Sequence, residues 1–129
     1  MHRVHFIVLL EVNVSKNILV DLSMDFSVDI VNMCDNIKGK SALTNQILRS
    51  GTSIGANIHE ANYAQSKADF VSKLQIALKE CYESEYWLEL FVKTNMIDAE
   101  LYLKLKNDCG KIRRILISAI NTTKENYNL

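Results

Sequence analysis

The chain is expected to be all-α, an antiparallel up-and-down four-helix bundle. Three observations lead there. Apolar residues recur at three- and four-residue intervals over most of the 129 residues; this is the spacing of one buried helical face. There are no prolines and only four glycines, whereas a β-sandwich or barrel needs turn residues every eight to twelve positions. The breaks between periodic segments are short, which makes consecutive helices antiparallel neighbours.

The first helix is read from Ile18 to Ile37, with Leu22, Phe26, Ile30, Met33 and Ile37 on its inner stripe and Gly39 as its stop. Beside that stripe, Asp21, Asp25 and Asp29 form a straight acidic row. A hard-cation cage needs ligands converging on one point, so the row is read as a solvated edge. The second helix starts near Ser41 and turns Leu43, Ile47, Ile54, Ile58 and Ala61 inward.

The third opens at Ser66 in Ser66-Lys67-Ala68-Asp69, where a hydroxyl and a carboxylate can take up free backbone N–H groups. Its stripe is Phe70, Leu74, Ala77, Cys81, Ser84, Leu88 and Phe91, uninterrupted to Asn95, about 40 Å of helix at 1.5 Å per residue. After the link "NMIDAE" a fourth helix carries Leu101, Leu105, Cys109, Ile112, Leu116 and Ala119 and is expected to end near Asn121, with Gly110 in its middle. The bundle is thus placed at 17–124, between an N-terminal extension at 1–16 and a tail at 125–129.

The 15 basic and 15 acidic side chains cancel, so overall charge demands neither nucleic acid nor an anionic membrane. No run approaches the roughly 20 apolar residues that cross a bilayer, and the opening MHRVHFIVLLEV lacks a signal-peptide cleavage site. Cys34, Cys81 and Cys109 are an odd set, without the paired spacing of a secreted disulfide framework. A cytoplasmic protein without membrane contact is expected.

Gly51-Thr52-Ser53-Ile54-Gly55 satisfies both the G-x-S-x-G of a nucleophile elbow and the G-x-x-x-G of closely packed helices. The elbow needs a strand before the serine, and an acid followed by a histidine after it. Here the preceding residues are helically periodic, and no Asp or Glu lies between Ser53 and the one later histidine, His59. The membrane form of G-x-x-x-G needs an apolar surround, which Arg49, Asn57, His59 and Glu60 deny it. Gly51 and Gly55 then form a flat strip beside the core stripe that admits a second helix, from the same chain or another subunit. No catalytic residue and no small-molecule substrate are assigned.

No E-x-x-H motif marks a di-iron bundle, and the cysteines lack zinc spacing; no metal or cofactor is expected. "KECYESEYWLEL" sets Tyr82, Tyr86 and Trp87 among Glu80, Glu83, Glu85 and Glu89. The rings could stack on bases, but the glutamates would repel phosphate, so core or subunit packing is the expected role. Lys104, Lys111 and Arg114 share one face of the fourth helix, with Lys106 and Arg113 nearby. Lys104, Lys111, Arg113 and Arg114 are the candidate nucleic-acid contacts.

The stretch "LRSGTSIGANIHEANYAQSKADFVSKLQIALKECYESEYWLEL" closely resembles the signature of the bacterial four-helix-bundle family encoded by intervening sequences within large-subunit ribosomal RNA genes. The resemblance covers about residues 17 to 124. That family is similar in architecture to the accessory variability protein of diversity-generating retroelements, a basic pentameric barrel that associates with a reverse transcriptase and nucleic acid. The resemblance therefore implies a homopentamer and association with RNA or ribosomes. Arg49 and Glu60 match signature positions, which suits an intersubunit ion pair or a binding surface.

This sequence departs from its basic relative in being neutral overall. The expected function is a non-enzymatic oligomeric scaffold for RNA or a ribonucleoprotein. The alternative is a protein-binding adaptor without nucleic-acid contact.

Overall fold

The computed structural model describes residues 2–129, with side chains described from residue 16 onward. Four helices follow one another: α1 (His2–Asp35), α2 (Ser41–Ala61), α3 (Lys67–Lys93) and α4 (Ala99–Tyr127). Among the described residues there is no strand. α1 packs on α2, α2 on α3, α3 on α4, and α4 closes back on α1; α1 also reaches α3 through a side chain, with Lys16 Nζ 5.5 Å from the Phe70 ring centre. The result is the expected square bundle.

Local chemistry sets the helix ends. Gly39, at φ +73°, turns the chain after α1 in a conformation that costs a residue with a side chain steric strain. Ser66 caps α3 as its spacing predicts: the hydroxyl accepts from the Asp69 N–H at 3.0 Å, and the Asp69 carboxylate accepts from the Gln65 N–H at 3.2 Å. Asp98 caps α4 by accepting from the Leu101 N–H at 2.8 Å.

Two boundaries differ from the sequence reading. α1 begins at His2 rather than near Ile18; whether residues 1–16 act as a separate extension lies outside the described side chains. α4 runs past Asn121 to Tyr127. Nothing in 122–127 stops a helix, Thr123 is buried with its hydroxyl donating to the Ala119 carbonyl at 2.8 Å, and the chain turns only at Asn128, with φ +55°.

The core contains the expected stripes, with one rotation. On α1 the buried positions are Leu19, Ser23, Phe26, Ile30, Met33 and Cys34, while Leu22 and Ile37 are only partly covered. α1 has therefore turned its Leu19–Ser23 edge toward α2, where the two glycines face it. A Cβ on Gly51 would stand 3.1 Å from Ile30 Cγ1, tighter than an ordinary contact, whereas one on Gly55 would stand at an ordinary 3.4 Å from the Ser23 carbonyl oxygen. An interior glycine costs about 1 kcal/mol in helix propensity; at Gly51 it lets α1 lie against the α2 backbone. The helix that the glycines face belongs to the same chain.

The α2–α3 contact is also made close by small side chains. Ser50 and Ser84, both fully buried, share a hydrogen bond of 3.0 Å in which Ser84 donates. A buried hydroxyl needs such a partner.

Candidate functional site

The four candidate nucleic-acid contacts on α4 do not form one free patch. Lys104 lies 2.8 Å from Asp29 of α1 and 3.0 Å from Asp108; these two hydrogen bonds, Asp29 first, raise its pKa. Arg113 donates to Glu85 of α3 at 3.0 Å, which raises its pKa, and lies 5.8 Å from the Tyr82 ring centre. Lys111 and Arg114 remain exposed, with no carboxylate within ion-pair distance among the described residues. Gly110 makes room beneath Arg113 and Arg114, since a Cβ there would lie 3.3 Å from Arg114 Nη1 and 3.5 Å from Arg113 Nη2. Asp21 and Asp25 stay solvent-exposed and Asp29 is the half-covered partner of Lys104, so the three do not converge on one point.

Arg49 and Glu60, expected across a subunit boundary or on a binding surface, find their charge partners within the chain. Arg49 spans from α2 to Glu80, at 3.2 Å, and to Glu83 on α3. Glu83 also accepts from Trp87 Nε1 at 3.1 Å. That bond, followed by the one from Arg49, holds its carboxyl below the usual range. Glu60 pairs with Lys73 at 3.2 Å. The i,i+4 geometry of α3 sets Glu80, Glu83 and Trp87 along the edge facing α2, which is why these pairs close internally.

Tyr82 and Tyr86 are 52% and 59% exposed, so they do not pack in the bundle core, whereas Trp87 is partly buried. Tyr86 meets Trp87 edge-on at 5.0 Å.

The α1–α2 seam opens outward as a groove of about 480 Å³ lined by Val20, Met24, Ser27, Thr52, Gly55 and Ala56 among others. Met24 at 62%, Val28 at 49% and Val31 at 41% exposure stand along its α1 edge, above a shallower hollow of about 280 Å³. Glu60, already held by Lys73, is the one carboxylate in the groove lining, next to His59. The sequence reading missed this ridge. Its signal was present in apolar residues on α1 that fall outside the inward stripe.

Ser53 lies in the middle of α2, helical on both sides, so it sits on no strand-to-helix elbow. Among the described residues no three His, Cys, Asp or Glu side chains gather as a metal group, and no helix is long and apolar enough to cross a membrane. All three cysteines are buried and free. Burial, then Asp35, pushes the Cys34 thiol up to about 11; the Cys81 contact and burial push Cys109 higher still.

Long helices, a continuous core and grooves along the seams define an all-α four-helix-bundle protein. Residues 15–118 match the 23S rRNA-intervening sequence protein family, and the chain belongs to that family. It is also similar to a crystal structure from Bacteroides thetaiotaomicron, described as a protein with unknown function from the S23 ribosomal protein family. The two are 49% identical, the match covers 83% of this chain and 98% of that one, and the TM-score is 0.78. Among curated proteins there is no match.

Proposed function

We propose that the protein is a non-enzymatic cytoplasmic scaffold that assembles with copies of itself along the α1–α2 seam and presents the outward face of α4 to RNA. One observation carries the reading: the groove with its Met24, Val28 and Val31 ridge is mostly apolar and exposed, and its one carboxylate, Glu60, is paired. Contiguous apolar surface of this kind marks an interaction site. Ridge and groove lie side by side on the same face, so a second copy supplies the complement of both. A ridge seated in the next copy's groove closes into a ring when the rotation between copies divides a full turn; five is the number that the resemblance implies.

Lys111 and Arg114 support the RNA contact, because neither must break an ion pair to meet a phosphate. Lys104 and Arg113 serve first to tie α4 to α1 and α3. A protein-binding adaptor is the second reading, favoured by the apolar groove and the zero net charge.

Purification from cells, with sequencing of co-purified RNA and molar-mass determination in the same preparation, tests the proposal. An oligomer carrying RNA whose affinity falls steeply with added salt supports it. A particle free of RNA, binding its partner independently of salt, favours the adaptor.

A further inference from the structure

The seam between α3 and α4 holds a pocket of about 350 Å³ walled by Tyr82, Tyr86 and Tyr102 with Glu85, Glu89 and Lys106. The glutamates of this helix would repel phosphate if unpaired, but each has a cationic partner. Glu80 and Glu83 are held by Arg49, Glu85 by Arg113 at 3.0 Å and Glu89 by Lys93 at 3.0 Å. Among the described residues Lys106 has no carboxylate within pairing distance, and it lies 5.6 Å from the Tyr102 ring centre.

We infer that this pocket takes the unpaired bases of single-stranded RNA, stacked on Tyr82 and Tyr86, with Lys106 on the adjoining phosphate. The two exposed tyrosines stand one helical turn apart, about 6 Å along the axis. This is close to two steps of the ~3.4 Å strand rise, so one base fits between successive rings. Aromatic stacking accepts any base, since each has a π face. An organic cation is the weaker fit, because Arg113 and Lys106 already lie beside the Tyr82 and Tyr102 rings and would repel it. The inference rests on RNA being the partner, but uses residues separate from Lys111 and Arg114.

The probe is a labelled oligouridylate of about 12 nucleotides, within the span that single-strand sites cover, compared with duplex RNA of the same length. Tyr82→Ala and Tyr86→Ala are each expected to weaken single-strand binding at least about fivefold. Tyr82→Phe and Tyr86→Phe keep the ring and should bind as the parent does. Because stacking neutralises no phosphate, the alanine variants should keep the parent's salt slope, whereas Lys111→Gln with Arg114→Gln should flatten it. Trp87, the only tryptophan, touches Tyr86, and its fluorescence should change on binding in the parent and not in Tyr86→Ala.

Alanine variants that bind as tightly as the parent, or a probe bound no better than duplex, overturn the inference. If those variants bind normally while Lys111→Gln with Arg114→Gln weakens binding, only the stacking site falls. No RNA binding by the parent overturns both the site and the reading beneath it. Tetramethylammonium that alters Trp87 fluorescence where oligouridylate does not would assign the rings to a cation and likewise overturn it.

Discussion

Gly51 of α2 lies so close to Ile30 of α1 that a methyl group on Gly51 would stand 3.1 Å from Ile30 Cγ1 and 3.2 Å from Cγ2. Ile30 is fully buried and branched at Cβ, so it has little room to withdraw. Gly51→Ala gains about 1 kcal/mol of helix propensity but overpacks the interface, at a cost of roughly 1–3 kcal/mol. A net loss of about 1 kcal/mol is expected, read as a lower Tm. At Gly55 the nearest atoms stand at 3.4 Å, an ordinary contact. Gly55→Ala should therefore match the parent or exceed it by up to about 1 kcal/mol.

The Ser50–Ser84 pair gives a second expectation. Ser50→Ala or Ser84→Ala alone strands a buried hydroxyl, which costs about 1–3 kcal/mol. With both changed no polar group is stranded, so the double variant should lose less than the sum of the single losses. Denaturant unfolding of the four proteins measures the coupling.

Acid should loosen the α2–α3 seam. The Glu83 carboxyl is held below its usual range, first by the Trp87 indole and then by Arg49. A depressed carboxylate contributes stability above its unfolded pKa and loses it as pH falls through the folded one. The stability difference between the parent and Glu83→Gln should be present at neutral pH and vanish below the ordinary carboxylate range. Thermal melts across that range test it, and a difference that persists in acid would contradict it.

The thiols should be silent in the folded protein. Cys34, Cys81 and Cys109 are buried, and burial pushes the Cys34 thiol up to about 11. Since the thiolate is the reactive form, a colorimetric thiol reagent at pH 8 should react in denaturant with all three cysteines and with almost none natively.

Much of this bundle can be read from one dimension. The alternation of Phe70, Leu74, Ala77, Cys81, Ser84, Leu88 and Phe91 fixes the buried face of α3, and all seven are buried. The Ser66 cap follows from hydroxyl and carboxylate spacing alone. The glycine strip was legible as a place of close helix approach; that its partner is α1 rather than another subunit depends on how the helices pair, which periodicity does not encode.

Charge pairing was the least legible layer. Glu85 lies 28 positions from Arg113, and Asp29 lies 75 from Lys104, so the sequence showed a basic face on α4 and an acidic one on α3. The fold joins the two faces through Arg113 and Glu85, while Arg49 of α2 takes Glu80 and Glu83 and Asp29 of α1 takes Lys104. Lys111 and Arg114 were left over because they point outward, away from both seams.

The proposed assembly is tested most directly by sedimentation equilibrium of the parent and of a variant carrying Met24→Asp and Val28→Asp. Both positions are about half or more exposed in the single chain, so the substitutions should leave the bundle folded, as circular dichroism can verify. The parent should sediment as an oligomer and the variant at the mass of one chain. A parent that remains monomeric at every concentration, or a folded variant that assembles as the parent does, would contradict the α1–α2 seam as the assembly surface.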